Sequence, residues 1–181
     1  DLRMDGILPQ LVRHVNQQIN RMLGPGRLYK SGSTLLAVLS DATQFHWIAV
    51  GDSRIYLYRQ ENLIQINQEH TQLQEWMPEI LNGTRSYEES MKDPKGRQLT
   101  SFIGMGQLKY VDFSLRSIRI VPGDRILLMT DGVFNTISEQ KIASILTDYP
   151  QVQQAAEEME KAVLQANAPG QDNFTVVILG Y

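Results

Sequence analysis

Behind Pro9, the apolar residues Leu11, Val12, Val15, Ile19, Met22 and Leu23 recur at helical spacing. This predicts an amphipathic helix with proline in its first turn. Gly24-Pro25-Gly26 ends it. Short apolar runs with turn residues between them follow: Ser33 to Ser40, Trp47 to Val50, Ile55 to Tyr58 and Asn62 to Ile66. They read as strands of a meander. Residues 71–98 break the pattern, being polar and carrying Pro78, Asn82-Gly83, Pro94 and Gly96. They are expected to form an excursion from the sheet with two short helical patches. Beyond it, Val111 to Arg116 alternates as a half-exposed strand does. Pro122-Gly123-Asp124 is a turn into the run Arg125 to Thr130. Ser138 is placed to cap a helix reaching about Leu146, and Val152, Ala155, Ala156, Met159, Val163 and Ala166 mark another. Asn167-Ala168-Pro169-Gly170 closes that helix before a last strand. Antiparallel strands on short turns, with amphipathic helices to cover a sheet face, predict an α+β layered sandwich.

Two strand ends carry the chemistry. Asp131-Gly132 closes the run Arg125 to Thr130, and Asp172-Asn173 opens the run Phe174 to Leu179. If those strands are antiparallel neighbours, both carboxylates emerge at the same sheet edge. Two oxygen ligands there, with a glycine allowing close approach, suit a hard divalent cation. Asp-Gly and Asp-Asn are also common turn dipeptides, and either alone reads more readily as a turn.

Composition narrows the choices. The chain has 181 residues, enough for a single domain (1–181) with a core of its own. Its charge is 17 basic against 20 acidic residues, −3 overall, without a basic block. That argues against nucleic acid as a partner. Cysteine is absent, which removes disulfides, thiolate zinc sites and a thiolate nucleophile. His14, His46 and His70 are too scattered for a histidine-rich centre. Any metal would be held largely by oxygen. No run spans a bilayer and no signal-peptide pattern opens the chain, so a cytoplasmic location is expected.

Six short motifs occur in one order: Ser31-Gly32-Ser33-Thr34, Val50-Gly51-Asp52-Ser53-Arg54, Glu69-His70-Thr71, Pro122-Gly123-Asp124-Arg125, Met129-Thr130-Asp131-Gly132 and Gln171-Asp172-Asn173-Phe174-Thr175. The series resembles the metal-dependent Ser/Thr protein phosphatases of the type 2C (PPM) family, bacterial branch, over nearly the whole chain. The resemblance implies an α-β-β-α sandwich of two mainly antiparallel sheets flanked by helices. It implies a binuclear Mn²⁺ or Mg²⁺ centre, a metal-bound hydroxide that attacks phosphorus, and phosphoserine or phosphothreonine in a protein as substrate. A Ser/Thr kinase would be the natural counterpart. Carried over by position, Asp131 and Asp172 are the catalytic metal aspartates, with Gly132 beside the first. Asn173 is expected to tie the adjacent backbone. Asp52 and Arg54 fall in a turn where a structural role is expected. Residues 71–98 correspond to the family's mobile flap.

The chain also departs from the family pattern. The family opens on Asp-Gly followed by a glycine pair, and its aspartate bridges both metals. Here Asp5-Gly6 is followed by Ile7-Leu8-Pro9. The expectation is an N-terminally incomplete sandwich, lacking the opening strands, the bridging aspartate and the first helix. Such a chain should bind metal weakly and turn over poorly. Glu69 stands where relatives carry an aspartate that contributes to a third, looser metal site; the alternative is a solvated loop residue. His70 reads as a surface histidine in a turn, the alternative being a contact to substrate phosphate, and Trp47 and Trp76 read as packing residues. The alternative to a phosphatase is a catalytically inactive member of the fold acting as a regulatory or binding module. A different metal hydrolase on a convergent sandwich is more remote.

Overall fold

The computed structural model describes residues 6–181. Asp5 of the Asp5-Gly6 pair lies outside them. The architecture is α+β with two antiparallel sheets, in the order α1 (Ile7–Leu23), β1 (Leu35–Ser40), β2 (Gln44–Val50), β3 (Arg54–Arg59), β4 (Asn62–Gln65), α2 (Gln72–Leu81), α3 (Tyr87–Lys92), β5 (Asp112–Phe113), β6 (Ile118–Arg119), β7 (Arg125–Met129), α4 (Asp131–Phe134), α5 (Glu139–Asp148), α6 (Val152–Ala166) and β8 (Val176–Gly180). One sheet has the order β1-β2-β5 with β6 also on β2; the other runs β4-β3-β7-β8. The described residues pack as two compact units: residues 6–37, 47–52 and 68–116, and residues 38–46, 53–67 and 117–181.

In the first unit, α1 begins and ends where Pro9 and Gly24 predict. Its inner face is the row Leu8, Val12, Asn16, however, and Leu11 and Met22 are exposed. The row continues to Asn20, and both asparagines grip the backbone of one loop. Asn16 accepts from Gly104 N–H and donates to Gly106 O, while Asn20 accepts from Gly106 N–H and donates to the same oxygen, all at 2.7–3.1 Å. In the excursion, Thr71 caps α2, Ser86 caps α3 and Asp93 caps a 3-10 turn over Pro94–Arg97. Arg85 lies 3.5 Å above the Trp76 ring, so Trp76 does pack. The expected strand 111–116 shrinks to β5, paired with β2 through Ile48↔Phe113 and Ala49↔Asp112. It ends because Ser114 turns its hydroxyl into the ladder and accepts from Trp47 N–H at 3.0 Å.

In the second unit, Tyr56, Tyr58, Leu127 and Met129 line one face of β3 and β7, at the alternate spacing of strands. Val133, Ile142, Ile145, Leu146, Ala155, Met159 and Val163 from α4, α5 and α6 close over it. The opposite face, with Ile55, Leu57 and Ile126, is buried as well. Burial on both sides explains why Arg125 to Thr130 is an unbroken apolar run rather than an alternating one. Ser138 caps α5 as expected, accepting from Lys141 N–H. The β2 strand starts three residues before Trp47, because Phe45 and His46 are buried too and Gln44 and Phe45 pair with β6.

The Pro122-Gly123-Asp124 turn hides a carboxylate. Asp124 is 1% exposed and accepts from both Arg59 Nε (2.8 Å) and Arg59 Nη2 (2.6 Å), and from Val121 N–H at 2.9 Å. Burial alone would raise its pKa, but the Arg59 guanidinium and the Val121 amide hold it below the usual carboxylate value. A pKa lower in the folded chain than in the unfolded one adds stability that is complete above about pH 4 and drains away as acid protonates the group. Asp124→Asn should cost about 3 kcal/mol in urea unfolding at pH 7, the lower end for a broken buried pair because Arg59 is partly exposed. The same substitution should flatten the loss of stability between about pH 5 and pH 3. Equal acid sensitivity in both proteins would show that Asp124 is not the titrating group.

Candidate metal centre

Strands β7 and β8 pair antiparallel from Arg125↔Gly180 to Met129↔Val176. The pairing runs one step further: Thr130 N–H donates to Thr175 O at 3.1 Å. Thr175 N–H donates to Thr130 Oγ1 at 2.9 Å, so a side chain finishes the ladder and β8 starts two residues later than Phe174. One carboxylate therefore leaves β7 and the other enters β8 at the same end. Asp131 is not in a turn, however. It is the first residue of the short helix α4, behind Thr130.

Gly132 fits a tight seam. A Cβ there would stand 2.5 Å from Asn173 O and 3.0 Å from Phe174 Cβ. The missing side chain lets the start of α4 press against the 172–174 backbone. Its carbonyl oxygen accepts from Gln171 Nε2 at 3.0 Å, and the Thr136 hydroxyl lies 2.8 Å away. Gln171 Nε2 also donates to Asp172 O at 2.9 Å, and Thr136 Oγ1 lies 2.7 Å from Gln171 Oε1. Asn173 N–H donates to Asp172 Oδ1 at 2.7 Å, so Asn173 ties the loop through its own main chain. Neither Gln171 nor Thr136 stands out from sequence, because a long amide on a loop has no periodicity. The only clue was Gln171 lying inside the quoted Gln171 to Thr175 motif.

Arg54 enters β3 opposite Met129. Its guanidinium lies 3.9 Å from the centroid of Phe134, the last residue of α4. It donates to the Tyr56 hydroxyl at 3.1 Å and stands 3.6 Å from Glu139, to which that hydroxyl donates at 2.7 Å. Burial pushes the Tyr56 phenol well above its ordinary pKa, with Arg54 opposing, so the hydroxyl keeps its proton as a donor. These contacts fit the expected structural role for Arg54 and reach α4 and α5 as well as Tyr56 on its own strand. Asp52 lies in the turn before β3.

Glu69 and His70 belong to the first unit. The expectation of a surface histidine fails: His70 is 6% exposed. Its Nδ1 accepts from Gly51 N–H at 3.1 Å, while the His70 main-chain N–H donates to Gly51 O at 2.9 Å. Burial lowers its pKa against the pull of Asp112. Nδ1 can accept only when unprotonated, so the ring is neutral with its proton on Nε2. Sequence could not show this, since two main-chain contacts to a distant glycine leave no local pattern. Glu69 and His70 line a cavity of about 630 Å³ within this unit, together with Glu75, Thr100, Lys109 and Asp112.

Two carboxylates at one sheet edge have the right hardness for Mg²⁺ or Mn²⁺. Mg²⁺ sites commonly use one or two carboxylates and leave the remaining positions to water and substrate phosphate. Asp131 and Asp172 fit that part, although among the described residues no three acidic, histidine or cysteine side chains gather into a ready cage. A family model described as Protein phosphatase 2C matches residues 7–168. The chain belongs to the protein phosphatase 2C family. It is 34% identical over 167 residues to the protein phosphatase PhpP of Streptococcus pneumoniae, covering 91% of this chain and 64% of that protein. It is 32% identical over 147 residues to the serine/threonine protein phosphatase PstP of Mycobacterium tuberculosis, covering 81% and 27%. The chain thus spans less than two thirds of these relatives. The solved Mycobacterium tuberculosis phosphatase PstP superposes with a TM-score of 0.75 at 27% identity, over 92% of this chain and 68% of that one. The catalytic domain of PstP in complex with two manganese ions gives 0.69 at 29% identity, over 90% and 65%.

Gly132→Ala should force the α4 and 172–174 backbones apart and cost about 1–3 kcal/mol, as overpacking does. Thermal unfolding checks it, and an unchanged midpoint would show the seam to be loose.

Proposed function

We propose that this protein phosphatase 2C chain is the catalytic region of a protein Ser/Thr phosphatase that removes phosphate from phosphoserine and phosphothreonine. The observation that carries this reading is the convergence of Asp131 and Asp172 on one end of the β7–β8 pair. The reading treats residues 1–181 as one phosphatase domain, with 71–98 as its flap. It places the protein in the cytoplasm, acting on phosphoproteins and opposing a Ser/Thr kinase; among the described residues no helix is long and apolar enough to cross a membrane.

Asp131 and Asp172 are the proposed ligands for Mn²⁺ or Mg²⁺, and Glu69 is proposed to contribute to a separate, looser metal site. Gly132 serves by its missing side chain, because its carbonyl oxygen already accepts hydrogen bonds. Bound dications would supply the charge that activates water and screens phosphate. The chain's own part is to hold two anionic carboxylates in fixed relation: Thr130 and Thr175 set their spacing, and Arg54 braces α4 through Phe134. No thiolate is available, so nothing in this chain offers a cysteine phosphoenzyme route.

The reading of a catalytically inactive regulatory module draws on the absence, among the described residues, of a third converging ligand. Hydrolysis of p-nitrophenyl phosphate with and without Mn²⁺ separates the two. Weak metal-dependent turnover that falls to the metal-free background in Asp131→Asn and in Asp172→Asn is the expected result. Absence of both turnover and Mn²⁺ uptake by calorimetry would favour the inactive module.

A further inference from the structure

We infer that Gln171 and Thr136 form a positioning clamp that sets the metal affinity of the Asp131–Asp172 pair. The inference rests on the metal reading above. Gln171 follows the α6 terminator and immediately precedes Asp172, while Thr136 follows the helix that Asp131 begins. The two amide protons of Gln171 are spent on two main-chain oxygens, one beside each aspartate: Gly132 O at 3.0 Å and Asp172 O at 2.9 Å. The amide oxygen is held in turn by the Thr136 hydroxyl at 2.7 Å, whose single proton is shared with Gly132 O at 2.8 Å. One side chain thus ties the backbone that follows the first carboxylate to the backbone that carries the second. The ladder below ends with Thr130 and Thr175. Between that end and the two carboxylates, the Gly132 seam and this clamp hold the 171–174 loop against α4.

Metal sites depend on this kind of support. Groups that orient ligands without touching the ion typically change affinity about 10- to 100-fold when lost. Gln171 is solvent-exposed, so water replaces its hydrogen bonds on unfolding and its net worth to global stability is small. The clamp therefore acts on the geometry of the site more than on the fold, and the two effects are separable.

The test uses the 181-residue chain. In metal-free protein, amide hydrogen exchange of Thr175 reports how firmly the loop is docked. Gln171→Ala and Thr136→Val should each speed it about tenfold while Ile178 within β8 is unchanged. Titration with Mn²⁺ by calorimetry should show the same variants binding about tenfold more weakly, with thermal midpoints near that of the parent. Thr136→Ser keeps the hydroxyl and should restore parental values in both measurements. Gln171→Glu cannot donate to either carbonyl and should behave at least as badly as Gln171→Ala. Parental Thr175 exchange in Gln171→Ala overturns the clamp, as does weakened Mn²⁺ binding that only tracks a fall in thermal midpoint. If the parent chain takes up no Mn²⁺, the metal reading fails, and with it the clamp's role in affinity. The exchange data then still decide whether the clamp exists as a loop-docking device.

Discussion

The antiparallel register of β7 against β8 is the constraint on which the rest of this site depends. Neither aspartate is placed by its own contacts with the other. Each is placed by the strand it terminates, and the strands are placed by five paired positions from Arg125↔Gly180 to Met129↔Val176. A slip of one residue would move one carboxylate by about 3.3 Å along the strand and turn the inward side chains outward. That slip is opposed by burial on both faces of β7, where Ile126, Leu127 and Met129 are almost wholly enclosed. The core holds the register, and the register holds the chemistry.

The same logic explains which parts of the molecule were legible in the chain. The strand ends could be read because the apolar runs stop at Asp131 and begin just after Asp172, and a carboxylate is poorly tolerated inside a buried strand. Helix α6 could be read from its apolar spacing, and α5 from Ser138. What escaped were interactions whose partners are far apart in sequence. Asn16 looks like any polar helix residue until Gly104 and Gly106 are brought to it. His70 looks like a turn residue until Gly51 fills both of its local hydrogen bonds. The strand 111–116 was half right, since alternation cannot reveal that the hydroxyl of Ser114 will replace a main-chain acceptor.

Membership of the protein phosphatase 2C family and the local geometry reinforce each other at different scales. The family match covers residues 7–168 and so stops short of Asp172, whose place comes from the β7–β8 pairing. The pairing in turn says nothing about phosphate, which enters through the family. Glu69 shows the limit of transfer by position. It lines a cavity of the first unit that also holds a cation, Lys109, bound to Glu75 at 2.6 Å. A carboxylate in that setting has electrostatic neighbours of its own, whatever a relative keeps there.

The grip of Asn16 and Asn20 on Gly104 and Gly106 has a consequence of a different kind. Every group they hold on that loop is a main-chain N–H or C=O. Such a joint recognises the path of the chain and ignores the identity of the side chains along it. Met105 between the two glycines contributes no side-chain atom to these four bonds; its Sδ instead accepts from Phe102 N–H at 3.3 Å. A single inserted or deleted residue would loosen the joint, because it carries one carbonyl out of reach of both amides at once. The loop is fixed in length, and also in composition at Gly104 and Gly106, whose φ values of +103° and +90° favour glycine.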